Sequence, residues 1–199
     1  MRSRNVLCVA ILVLLFIGCA TVPTQLSKET STALSEGQKL IKYQEYKNIG
    51  IRSYHDTRNY ADALDAFLKA NEYNEEDADV KAYIGVCYYY LGKKQKAIEI
   101  INSYLTNEKD PDPTIYHSIA GIYGYNLGQV DRAIELFYET IKYRKNYVSC
   151  WDYIQLAEMY VLKGDKKMAK EYFEKGLKRA EEQNDKNGIE SARKRIGEI

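Results

Sequence analysis

The groups in this chain best suited to catalysis or metal binding are few. It has two histidines, His55 and His117, and four cysteines among 199 residues. A zinc site needs grouped His, Cys or carboxylate ligands, and a catalytic nucleophile needs a base held beside it. Neither histidine has a nearby Cys or Asp at ligand or triad spacing. No glycine loop follows a strand pattern in a way that would cradle a phosphate. Acid pairs such as Glu75-Glu76 read as solvated loop residues. These residues predict no enzymatic activity, no metal and no cofactor. Tyrosine is the abundant chemical group, with 19 copies against four Phe and one Trp. Its ring offers large apolar area and its hydroxyl one hydrogen-bonding tip, which suits recognition. With 29 basic and 28 acidic side chains, the formal net charge is +1. A dedicated nucleic-acid binder would carry a basic excess, so no nucleic-acid partner is expected.

Any recognition surface must be positioned by regular elements, and the sequence supplies them as repeats. Ala63, Ala97, Ala133 and Ala169 are spaced by 34, 36 and 36 residues. Four residues after each stands a large apolar side chain: Phe67, Ile101, Phe137 and Phe173. Small residues precede them in step, at Gly50, Gly85, Gly121 and Ala157. Gly92, Gly128 and Gly164 fall five residues before the last three alanines. Two antiparallel helices approach closely where side chains are small, so each small residue is expected to meet the alanine of its partner helix. A glycine between the helices accepts a positive φ. Each unit leaves an apolar face uncovered, and stacking supplies the core.

This pattern resembles the tetratricopeptide repeat, a helix–turn–helix unit, over residues 44 to 183. The resemblance implies an all-α fold: a right-handed superhelix of about four such units with a C-terminal capping helix. The units fall at about 44–77, 78–111, 114–149 and 150–183, within a domain spanning 34–199. Ile189, Ala192, Ile196 and Ile199 share one helical stripe and predict the cap at 187–199. Ser35 and Gln38 suit a capping box opening a longer first helix. The departures from the family pattern are Arg58 at a turn-glycine place, and Tyr104 and Thr140 where alanine is usual. Cys87 and Cys150 lie in different repeats and are expected to be buried free thiols.

In stacked repeats of this family the concave surface is lined mainly by the first helix of each pair. The resemblance places Lys47, Ile51, Tyr54, Val86, Tyr89, Tyr90, Ile122, Tyr125, Trp151 and Glu158 there. Tyr54, Tyr89 and Tyr125 occupy one repeat position and form an expected tyrosine ladder beside the aliphatic Ile51, Val86 and Ile122. Some relatives clamp acidic tails with Lys and Asn. Lys47 is present here, but Ile51 stands where the Asn belongs, so no clamp is expected.

The amino-terminal region reads as an address. Met1 to Asn5 carries two arginines, and Val6 to Gly18 is free of charge. The run is too short to span a bilayer and has the length of a signal-peptide core. It ends Phe16-Ile17-Gly18-Cys19, which resembles a bacterial lipobox with Phe16 in the usual leucine place. The resemblance implies a signal peptide at 1–18, acylation of Cys19 and a polar tether at 19–33. The alternatives are an ordinary secretory signal or an uncleaved anchor. Loss of residues 1–18 removes Arg2 and Arg4, leaving 27 basic against 28 acidic side chains. Ala20 follows the cysteine, where an aspartate would resemble an inner-membrane retention signal. The expectation is therefore an anchored protein of the cell envelope, at the outer membrane and facing the periplasm. Its expected role is an adaptor for protein or peptide partners, with a part in envelope or outer-membrane assembly. The rival reading is a small-ligand or lipid-handling accessory of a transport system.

Overall fold

The computed structural model describes the backbone of residues 25–199 and the side chains from residue 36 onward. The expected signal peptide and Cys19 lie outside the described residues. So does the beginning of the expected tether, 19–24. The rest of that tether, 25–33, is helical: α1 runs from Gln25 to His55. Gln, Leu, Lys, Glu and Ala supply this stretch, with no proline or glycine before Gly37 to stop it. Ser35 therefore sits inside a helix and opens no capping box.

Residues Tyr43 to Ile199 form one compact unit, and the chain up to Lys42 belongs to another. In the larger unit the rest of α1 is followed by α2 (Tyr60–Tyr73), α3 (Ala78–Tyr90), α4 (Lys94–Asn107) and α5 (Pro113–Gly121). Then come α6 (Val130–Arg144), α7 (Cys150–Lys163), α8 (Lys166–Gln183) and α9 (Lys186–Glu198). No strand occurs among the described residues. Caps start most of the helices: Asn59, Asp77, Asp112, Ser149, Asp165 and Asp185 each accept a backbone amide of the first turn. Such caps satisfy amides that the helix itself leaves orphaned.

Helices pack in chain order, α3 on α4, α5 on α6 and α7 on α8, with each pair against the next. Ala63, Ala97, Ala133 and Ala169 are all sealed from solvent, as are Phe67, Phe137 and Phe173. The capping helix α9 packs on α8 and α7 and buries Ala192. This is the expected superhelix of about four helix–turn–helix units with a C-terminal cap.

The close helix contacts differ from the expected small-on-alanine scheme. A Cβ on Gly50 would lie 2.7 Å from the ring of Phe67, so the glycine makes room for the large residue instead. In the third pair the close contact moves. A Cβ on Gly121 would meet nothing nearer than the Tyr125 ring at 4.0 Å, while one on Gly124 would sit 3.1 Å from Ala133 and collide with the sulfur of Met159. The cause is a π turn over Ile122–Asn126, closed by the Leu127 amide on the Ile122 carbonyl at 3.1 Å. The helix winds wider there, and Gly124 makes the close contact expected of Gly121.

The two unusual residues at the alanine place have specific partners. Tyr104 is buried, donates to Asp79 Oδ1 at 2.7 Å and accepts from the Asp112 amide at 3.1 Å. Its length spans to the loop before α5. Thr140 donates to the Leu136 carbonyl at 2.8 Å, which satisfies its buried hydroxyl within its own helix.

Gly92, Gly128 and Gly164 turn with φ of +83°, +68° and +81°, and Arg58 turns in the first unit with φ +52°. A left-handed conformation crowds any side chain with a Cβ. Arg58 is exposed and has no packing role that repays this strain. Arg58→Gly should therefore stabilise the chain by roughly 1 kcal/mol, measured by urea unfolding. A destabilised variant would show that the strain is relieved elsewhere.

Candidate interaction surface

The first helices of the pairs were expected to present the ladder, and burial divides its members. Tyr54 is 9% exposed and Tyr89 4%, while Val86 and Ile122 are fully sealed. These four are core, which corrects their expected place on the surface. Tyr54 is enclosed by the rings of Tyr60 and Tyr83, edge-on at 5.7 and 5.4 Å. With so many bulky neighbours, a tyrosine at this position fills space between helices rather than facing solvent. Ile51 is half-buried and packs against the same core.

Lys47 is also engaged. Its ammonium donates to Asp77 Oδ2 at 2.6 Å and to the Tyr43 hydroxyl at 3.0 Å, and Tyr43 donates to the same carboxylate. Asp77 caps α3 by accepting from the Val80 amide at 2.9 Å. Burial alone would raise the Asp77 pKa, but these hydrogen bonds outweigh it and hold the carboxyl below its ordinary value. Lys47 thus ties α1 to the start of α3.

The remaining members are open to solvent. Tyr90 is 40% exposed, Tyr125 49% and Trp151 37%. Val161 and Leu162, at the corresponding places on α7, are likewise exposed. Tyr90 stacks on Tyr60 with ring centroids 4.3 Å apart. Tyr125 donates its hydroxyl to Glu158, and Arg195 of the cap reaches the same carboxylate at 3.2 Å. Trp151 Nε1 donates to Asp185 Oδ2 at 3.0 Å. The polar tips of Tyr125 and Trp151 are thereby fixed, and their rings are left open for contact. An apolar stripe with anchored polar edges can hold an apolar or aromatic segment by burial.

A group that sequence reasoning missed lies between the third and fourth pairs. Asp152 is fully buried and accepts from the Ser149 amide at 2.7 Å. His117 Nδ1 lies 3.0 Å from its other oxygen, and Arg144 Nε lies 3.5 Å away without hydrogen-bond geometry. The Ser149-x-x-Asp152 capping box is a readable signal for part of it. His117 stands nearly one repeat earlier, so its place beside Asp152 needs the repeats to be superposed. The histidine ring lies edge-on to Phe137 at 5.3 Å, and the Ser149 hydroxyl is spent on Asp152. This network holds two repeats together. His55 stands 3.4 Å from the Tyr83 hydroxyl. Among the described residues no group of three or more His, Cys, Asp and Glu is placed to hold a metal. Nor is any helix there long and apolar enough to cross a membrane.

Known proteins match the fold. Tetratricopeptide-repeat family models match residues 83–110 and 153–183. No curated protein matches the chain. Among solved structures, one entitled "Functional Characterization of Pseudomonas Aeruginosa pilF" is similar with a TM-score of 0.60 and 18% identity, covering 79% of this chain and 74% of the other. A crystal structure of MamA is similar with a TM-score of 0.56 and 22% identity, covering 71% and 80%. At these identities the likeness is one of fold.

Proposed function

We propose that this tetratricopeptide-repeat chain is an adaptor that holds a protein or peptide partner on the exposed stripe of its first helices. Acylation at Cys19 would keep it at the cell envelope, on the outer membrane facing the periplasm, in envelope or outer-membrane assembly. The observation that carries the adaptor reading is the exposure of Tyr90, Tyr125, Val161 and Leu162, at recurring places near the ends of the first helices, with Trp151 also open at the start of α7. Repeats of this kind are interaction scaffolds, and pilF shares the fold. The anchor rests on the uncharged run ending at Gly18-Cys19. Two or three acyl chains would hold such a protein stably where a single chain would not.

Two measurements test this. Metabolic labelling with a fatty acid should mark the wild type and not Cys19→Ser; label persisting in the variant would remove the anchor. Once a partner is captured by crosslinking, Tyr125→Ala and Trp151→Ala should each weaken it by about 2 kcal/mol, as aromatic anchors do. Tyr147, 86% exposed and away from the stripe, supplies the control Tyr147→Ala. The contact should depend weakly on salt, because its groups are apolar. Equal affinity in all three variants would move the binding surface elsewhere.

A further inference from the structure

A cleft of about 620 Å³ opens between the first and second helix pairs, on a different face of α3 from Tyr90. It is lined by Leu68 and Asn71 of α2, Ile84 and Tyr88 of α3, and Ile100 and Ser103 of α4. The same molecule shows what fills the corresponding place in its other seams. Between the second and third pairs, Tyr123 donates its hydroxyl to Asn102 Oδ1 of α4 at 2.7 Å. Between the third and fourth, Tyr138, Tyr160 and Tyr172 bring their hydroxyls together at 2.7 and 2.9 Å. The rings of Tyr160 and Tyr172 lie parallel there, 5.6 Å apart.

The repeat frame matches these places residue for residue. Leu68 and Tyr138 directly follow the aligned Phe67 and Phe137. Ile100 and Tyr172 directly precede Ile101 and Phe173. Tyr88 and Tyr160 each stand nine residues before the aligned Ala97 and Ala169. In the first seam, then, two tyrosines are replaced by Leu68 and Ile100. The third, Tyr88, lines the cleft, but its hydroxyl accepts from Lys96 of its own repeat at 3.1 Å rather than meeting a phenol of the neighbouring pair. No phenol bridges back to α2. Asn71 keeps a buried amide oxygen without a hydrogen-bond partner. Buried acceptors are normally satisfied, and a turn of the terminal amide presents this one to the cleft.

We infer that this cleft receives a tyrosine side chain presented by a partner polypeptide. Its ring lies between Leu68 and Ile100, and its hydroxyl donates to the amide oxygen of Asn71. The cleft has the size of a small-ligand site, sufficient for one ring and its flanking backbone. Lys81 and Lys96 stand with Glu76, Glu99 and Glu108 around it, so neither charge sign dominates its surroundings. This site is independent of the stripe on the first helices, and either can fail without the other.

The probe is N-acetyl-tyrosinamide, titrated into the full chain with labelled Ile and Leu methyl groups. Shifts should appear at Leu68, Ile84 and Ile100. N-acetyl-phenylalaninamide should bind about fivefold more weakly, the effect of one hydrogen bond. Leu68→Tyr with Ile100→Tyr, which copies the third seam, should leave the chain folded and abolish the shift at Ile84, the reporter that remains. Asn71→Leu should make the two amides bind equally, which tests the contact even where the double variant folds poorly. Equal binding of the two amides by the wild type would overturn the inference. So would an undiminished Ile84 shift in the folded double variant. The same shifts on raising protein concentration alone, lost in Tyr147→Ala, would assign the cleft to a second copy and overturn a foreign partner.

Discussion

Asp152→Ala is expected to destabilise the chain by about 3–5 kcal/mol, the range for stranding the partners of a buried charge. The carboxylate is fully buried and serves three groups at once. It caps α7 through the Ser149 amide, accepts from His117 on α5 and faces Arg144 at the end of α6. Its loss leaves a half-buried guanidinium and a cap amide with nothing opposite them. Asp152→Asn keeps an acceptor for the amide but no charge, so it should fall between wild type and alanine. The pH dependence has a definite sign. Burial alone would raise the Asp152 pKa, yet the His117 hydrogen bond, the Ser149 amide and the Arg144 charge outweigh it and hold the value low. The folded carboxyl thus binds its proton less readily than the unfolded one. Its contribution is present above the ordinary aspartate value of about 3.9 and is lost as pH falls through the folded value. Urea unfolding at neutral pH should show the full gap between wild type and Asp152→Ala, and the gap should narrow in acid. A variant within about 1 kcal/mol of wild type at neutral pH would show that the network contributes little.

Phe137→Ala should cost a similar amount, about 3–5 kcal/mol, for a different reason. The ring is wholly buried on α6 and meets the edge of His117 from α5. Truncation removes its apolar area from the core and leaves a void that flanking helices close only in part. In a stack where each pair contacts only its neighbours, the damage should centre on the third pair and its two seams. Hydrogen exchange should then quicken in α5 and α6 before α3 and α4. Tyr147→Ala on the exposed turn should stay within about 0.5 kcal/mol of wild type. A neutral Phe137→Ala would contradict the packing frame itself.

The frame of aligned alanines and large apolar residues was legible because it is set by local spacing, which any stack of like units must keep. Ala63, Ala97, Ala133 and Ala169 could be lined up without knowing a single contact. The surface was less legible, because a repeat position does not state how bulky its neighbours are. Tyr54 and Tyr125 share a position, yet Tyr60 and Tyr83 close over one while the other stands half open. The π turn adds a second difficulty. Gly121 stands twelve residues before Ala133, as Gly85 does before Ala97, so the spacing cannot show that the helix widens there and that the close contact falls on Gly124. The pairing of His117 with Asp152 depends on two repeats meeting in space. Neither residue carries a local mark of the other.

Cys87 and Cys150 are both sealed, one inside α3 and one at the start of α7. Burial pushes the Cys87 thiol up to about 12, and burial with the Asp185 hydrogen bond pushes Cys150 up to about 11. A thiol reacts as its anion, so both are silent while their helices stay closed. They stand in the second and fourth pairs, and so serve as two separate clocks. The rate at which each takes up a thiol reagent records how often its own part of the stack opens. Any partner that braces one end will slow one clock and leave the other running.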